Sequence, residues 1–210
     1  HAWRSYYLPK FAGVDPATGA ALYYAKDKEG KEYITDNTAT ASANRYIMGS
    51  RTPDLFGSIG TALAVKGFDL SVLATYSIGG KVLDGTYSST MNPFYYGETF
   101  HRDLLNAWKT PGQVTSVPRV EIGSSQITSD RFLIDASYFA IKNITLGYTL
   151  PKKACNAIGM KSIRIFVSAD NLALFTHMKG MNPTYSTYGA SGAYTYNPSR
   201  SFVGGLDIKF

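Results

Sequence analysis

From Leu55 to Gly80 apolar and polar positions alternate almost one for one. Leu55, Ile59, Thr61, Leu63 and Val65 share one parity; Phe56, Ser58, Gly60, Ala62 and Ala64 share the other. After Lys66-Gly67 the alternation resumes. Phe68, Leu70, Val72, Ala74, Tyr76 and Ile78 make one face, and Asp69, Ser71, Leu73, Thr75 and Ser77 the other. A period of two is the signature of a strand. A two-residue turn at Lys66-Gly67 pairs Val65 with Phe68 and Leu63 with Leu70, so both apolar faces land on one side of a hairpin.

The same pattern recurs. Ile144, Leu146, Tyr148 and Leu150 oppose Asn143, Thr145, Gly147 and Thr149, and Pro151 stops the strand. Phe139 and Ile141 have the wrong parity for that apolar set, so one extra residue near Lys142-Asn143, a β-bulge, is expected. Ile163, Ile165, Val167 and Ala169 oppose Arg164, Phe166, Ser168 and Asp170. At the C-terminus Phe202, Gly204, Leu206, Ile208 and Phe210 oppose Ser201, Val203, Gly205, Asp207 and Lys209. The opening segment AWRSYYLPKFA is a further candidate strand, interrupted by Pro9. This predicts about six up-and-down antiparallel strands.

Connections alternate in length. Lys66-Gly67 and Pro151–Lys161 are short; Gly13–Asp54, Gly80–Ser137 and Ala173–Arg200 are long. Short turns on one side and long loops on the other are the asymmetry of an outer-membrane barrel, with short periplasmic turns and long extracellular loops. Few long charged side chains lie within the strands, which favours an apolar face meeting lipid over one meeting water. Within the loops, ALYYAKDKEGKEYIT predicts a hairpin turning at Glu29-Gly30, and HRDLLNAWKTPG a short helix ended by Pro111-Gly112.

Composition agrees with an all-β chain: 20 glycines, 16 tyrosines and 11 phenylalanines in 210 residues. The net charge of +6 is spread rather than clustered, so nucleic acid is not an expected partner. Cys155 is the only cysteine, and His1, His101 and His177 are far apart, so no metal-ligand spacing exists and no cofactor is expected. No run nears the roughly 20 apolar residues of a membrane helix, which leaves a barrel open. The first residues, His1-Ala2-Trp3-Arg4, read as mature protein rather than as a signal peptide. No nucleophile elbow, phosphate loop or metal motif points to an enzyme.

Several stretches resemble a known family. SDRFLIDASYFAIKNITLGYTLPKK, NLALFTHMKGMNP, FAGVDPATGAALYY and RTPDLFGSIG…VKGFDLSVLATYSIGG, with the terminal Phe, resemble the C-terminal part of SusC/RagA-type TonB-dependent outer-membrane transporters. The likeness runs through nearly the whole chain, in order. Ala140 stands where that family often has arginine, and HMKGMNP departs from its more usual Tyr- and Asp-containing form. The resemblance implies that residues 1–210 form the last part of a barrel in a Gram-negative outer membrane, with neither plug domain nor TonB box within them. It further implies that Phe210 is read by the insertion machinery. Its implied partners are the remainder of the barrel and its plug, the TonB complex through N-terminal parts, a SusD-like lipoprotein lid, outer-membrane lipid, and oligosaccharide or peptide cargo. The long loops are then the outer rim, and their aromatics Tyr95, Tyr96, Trp108, Tyr185, Tyr188, Tyr194 and Tyr196 are candidates for partner or cargo contact. The rival reading is a soluble carbohydrate-binding β-sandwich that uses these rings as stacking platforms.

Overall fold

A computed structural model describes residues 4–93, 96–121, 127–177, 182–185 and 198–210. Twelve strands are described: β1 (Ser5–Leu8), β2 (Lys10–Val14), β3 (Ala21–Lys26), β4 (Glu32–Thr35), β5 (Tyr46–Ser50), β6 (Leu55–Val65), β7 (Phe68–Ile78), β8 (Lys81–Leu83), β9 (Leu133–Asp135), β10 (Tyr138–Thr149), β11 (Ser162–Thr176) and β12 (Ser201–Lys209). Short helices α1 (Thr38–Ala43), α2 (Gly85–Thr90) and α3 (Lys152–Ala157) accompany them. The chain divides into two compact units. One holds the described residues of His1–Thr52, Gly80–Asp135 and Thr184–Thr195; the other holds those of Pro53–Gly79, Ala136–Pro183 and Tyr196–Phe210.

The second unit is built on one antiparallel sheet in the order β12-β11-β10-β7-β6. The hairpin register is the expected one: Val65 pairs with Phe68 and Leu63 with Leu70. Lys66 and Gly67 both have positive φ, 49° and 88°, the shape whose twist matches flanking strands. A Cβ at Gly67 would sit 2.8 Å from the Thr149 carbonyl, so only glycine fits there. The bulge expected near Lys142 is present, as a register shift between Ile141 and Asn143. It gives β10 one extra residue and restores Ile141 and Phe139 to the apolar face. A second irregularity lies in β11, where Asn171 takes φ 51° and the strand continues to Thr176. That stretch reads from sequence as the start of a loop.

Five of the candidate strands make this sheet; the opening segment does not join it. Pro9 divides that segment into β1, which pairs with β5, and β2, which heads the three-stranded sheet β2-β3-β4. Pro9 offers no N–H to a ladder, so one continuous strand cannot run through it.

The first unit gathers the long connections. Its β3–β4 hairpin turns through Asp27–Lys31, where the Asp27 carboxylate accepts from the Glu29 and Lys31 amides at 2.9 and 2.8 Å. Gly30 supplies the positive φ. A small core of Met91, Ala107, Val117 and Phe132 is flanked by Leu83, Tyr87 and Leu104. The helix expected over HRDLLNAWKTPG is a 3-10 turn, Arg102–Asn106, started by the His101 imidazole accepting from the Asp103 amide. It ends before Trp108 rather than at Pro111.

Candidate functional site

The five-stranded sheet has two contrasting faces. Across it the pairings assemble rows: Val65–Phe68–Tyr148–Ile165–Leu206, Leu63–Leu70–Leu146–Val167–Gly204, and Thr61–Val72–Ile144–Ala169–Phe202. Each row is almost wholly apolar, and the face is open. Val65 is 66%, Leu206 63% and Ile59 61% exposed. A soluble sandwich buries one such face against a second sheet; here the apolar side chains are presented outward. Aromatics mark both ends. Phe68 and Tyr148 touch at 4.5 Å near the short turn, and Phe139 and Phe175 lie 6.3 Å apart at the other end. Strands β6 and β7 have 11 residues each, and a tilted strand needs about 9–11 to cross a bilayer.

The opposite face is mixed, mostly small or polar with Leu73, Phe166 and Val203 among them. Its rows are Ala64–Asp69–Gly147–Phe166–Gly205, Ala62–Ser71–Thr145–Ser168–Val203 and Gly60–Leu73–Asn143–Asp170–Ser201. The Arg164 guanidinium donates to both oxygens of Asp69, Nε to Oδ1 at 2.9 Å and Nη2 to Oδ2 at 2.6 Å. Its Nη1 donates to Asp207 at 3.2 Å. Gly147 lies between the two strands that carry this pair, and a Cβ there would collide with both partners. Phe166 lies over Gly205 in the same way, with the Arg164 guanidinium 5.1 Å from its ring. Further along, Asn143 Nδ2 donates to Asp170 at 2.6 Å and Ser168 at 3.0 Å, and the Thr145 and Ser168 hydroxyls are 2.9 Å apart. That Asp69, Ser71, Arg164, Asp170 and Asp207 share the face opposite the apolar one follows from alternation. The glycines that make room for the pair do not, because their role depends on what lies across the sheet.

In the first unit two long connections are welded together. The Trp108 indole Nε1 donates to the Pro16 carbonyl at 2.9 Å, and the ring lies against Gly19. Gly112 N–H also donates to Pro16 O at 2.8 Å, Arg119 N–H to Gly19 O at 2.9 Å, and Arg119 Nη1 to Thr18 O at 3.2 Å. Inside the turn, the Thr18 hydroxyl and the Ala17 N–H hydrogen-bond to Asp15 and hold its carboxyl below the usual range. Nearby, the Tyr87 hydroxyl donates to Asp103 at 3.0 Å, and burial followed by that carboxylate pushes the phenol up.

The candidate rim aromatics are placed unequally. Trp108 is half-buried in the weld; Tyr96 is 93% exposed; Tyr185 ends a 3-10 turn, Pro183–Tyr185. Tyr95, Tyr188, Tyr194 and Tyr196 lie outside the described residues. Trp108 and Tyr96 are not brought into contact by any hydrogen bond or ring pair among the described residues. Phe210 follows β12, is 78% exposed and shares parity with Leu206 and Ile208. No group of three or more His, Cys, Asp or Glu among the described residues is arranged to hold a metal.

An antiparallel sheet with an open apolar face, a polar reverse face and aromatic ends is the wall of a transmembrane β-barrel. No family model matches the chain. TonB-dependent receptor P3 of Formosa agariphila is 30% identical over 217 residues, taking in 97% of this chain and 21% of that protein. TonB-dependent receptor P26 of the same organism is 25% identical over 226 residues, or 99% of this chain and 21% of that protein. Among solved structures, the RagAB peptide transporter superposes with TM-score 0.82 at 27% identity, over 98% of this chain and 23% of that one. The RagAB peptide importer in its closed-closed state gives 0.83 at 27% identity, with the same coverage. Sequence and fold together place this chain in the barrel of a TonB-dependent receptor of the SusC/RagA type. It spans about a fifth of the length of the relatives it matches.

Proposed function

We propose that the chain supplies wall and outer loops to a TonB-dependent importer in a Gram-negative outer membrane, taking up oligosaccharides or peptides with a SusD-like lipoprotein as lid. The observation that carries this reading is the open apolar face backed by the Arg164–Asp69 polar face, in a chain similar to the RagAB peptide importer. The role is passage and not catalysis. The short turns Lys66-Gly67 and Pro151–Lys161 face the periplasm, and the long connections of the first unit form the outer rim, where lid and cargo meet it. The plug, the TonB-contacting segment and the other strands come from the rest of the transporter. The test deletes Tyr185–Tyr196 in the full-length transporter and measures lid co-purification and uptake of labelled peptide and oligosaccharide separately. Loss of the lid supports a rim role, and loss of uptake alone makes the segment a cargo loop. Normal behaviour in both, with the barrel still inserted, removes this segment from the rim.

A further inference from the structure

The short-turn end of the sheet carries an unbalanced charge. Lys66 lies in the β6–β7 turn, and Lys152, Lys153 and Lys161 lie in the β10–β11 connection; all four are exposed. Neither turn contains an aspartate or glutamate. The two turns are adjacent, since the Thr149 N–H donates to the Gly67 carbonyl at 2.7 Å. The Lys161 N–H donates to the Lys209 carbonyl at 2.8 Å, which carries this end on to β12. The nearest carboxylates along the strands, Asp69 and Asp207, are on the polar face and both are held by Arg164. On the apolar face the row Val65–Phe68–Tyr148–Ile165–Leu206, with the Phe68–Tyr148 ring pair in it, ends β6 and β7 at this side, and the Ile163–Ile208 pair follows it on β11 and β12. Ile158, just past α3 among these lysines, is 58% exposed.

We infer that these four lysines form a basic collar that binds the headgroups of anionic phospholipids at the membrane surface. Lipid is favoured over an acidic protein because the collar adjoins a lipid-facing row with an aromatic pair, the side-chain order of a bilayer interface. Lysines beside an apolar anchor are drawn to anionic headgroups, and the attraction is screened within a Debye length. The inference rests on the barrel-wall reading and adds to it a lipid charge class and a place.

The experiment uses the full-length transporter in vesicles. With Cys155→Ser as background, one fluorophore is placed at Ile158→Cys and another, separately, at Leu70→Cys. Each is exposed to spin-labelled phosphatidylglycerol or phosphatidylcholine as quencher. The expected result is stronger quenching at position 158 by phosphatidylglycerol at low salt, fading at high salt. That preference should fall at least about fivefold when Lys66, Lys152, Lys153 and Lys161 are all changed to Gln. The equal charge change at Lys28, Lys31, Arg102 and Lys109 should leave it intact. An unchanged preference in the collar variant overturns the collar, as does equal quenching by both lipids with protection by added polyglutamate, which would identify an acidic protein as the partner. In either case, quenching at position 70 leaves the wall reading standing. Absence of quenching at position 70 by any lipid removes the wall reading itself.

Discussion

Arg164 and Asp69 stand on strands that are not neighbours, and their doubly hydrogen-bonded pair reaches across β10 where Gly147 leaves no side chain. The pair therefore depends on a residue that contributes nothing to it chemically. Gly147→Ala is expected to lower the temperature at which the full transporter loses its compact form on unheated gels. The loss should be larger than for Asp69→Asn, because alanine both separates the ions and forces the strands to adjust. Equal loss in the two variants would mean that Gly147 serves something other than this pair.

The two faces make a second prediction. Val72 lies in the middle of β7 on the apolar face and Ser71 on the polar one. Val72→Arg should cost about 2–4 kcal/mol in folding into vesicles if it lies near the bilayer midplane, and Ser71→Arg much less. Urea titration of the full-length protein in vesicles measures both. A similar cost at the two sites would contradict the assignment of faces.

Sidedness gives the third. Gly97 and Gly159 both have positive φ and open space around them, so short epitopes inserted there meet no packed neighbour. Antibody added to intact cells should bind the tag at Gly97 and not the tag at Gly159. Labelling at Gly159 would reverse the proposed orientation.

The loop weld supplies the fourth. Trp108→Ala removes the hydrogen bond to Pro16 and the ring against Gly19, and should loosen the Asp15–Gly19 turn by about 1–3 kcal/mol. Faster proteolysis within that turn, with the barrel still heat-resistant, is the expected readout. The same turn has a pH limit. A carboxyl whose folded pKa is depressed stabilises above its unfolded value of about 3.9 and loses that contribution as pH falls through the folded value. Asp15 is such a group. Cleavage in the turn should therefore be steady from neutral pH down to about 4 and rise only below it.

What was legible in the chain was what depends on neighbours in sequence. The Lys66-Gly67 turn fixed the register of β6 on β7, and a parity conflict located the bulge at Lys142 before any partner strand was known. Pro9 dividing the opening segment was half legible: proline forbids a continuous ladder, but not which strands the halves join. The grip of Trp108 on Pro16 joins residues 92 apart, and no period or spacing announces it. The continuation of β11 through Ala173–Thr176 was hidden because an Asp-Asn pair usually signals a turn, and here the strand absorbs Asn171 at φ 51°.

The grip on the Asp15–Gly19 turn also limits how these two connections can diversify. Carbonyls of Pro16, Thr18 and Gly19 are all taken by donors from the Trp108–Arg119 stretch. A lineage that lengthened either loop alone would strand those carbonyls and uncover the indole. Changes of length would then arise through paired insertions, one in each loop, inherited together. Between relatives, the lengths of these two loops should covary more tightly than either does with its flanking strands.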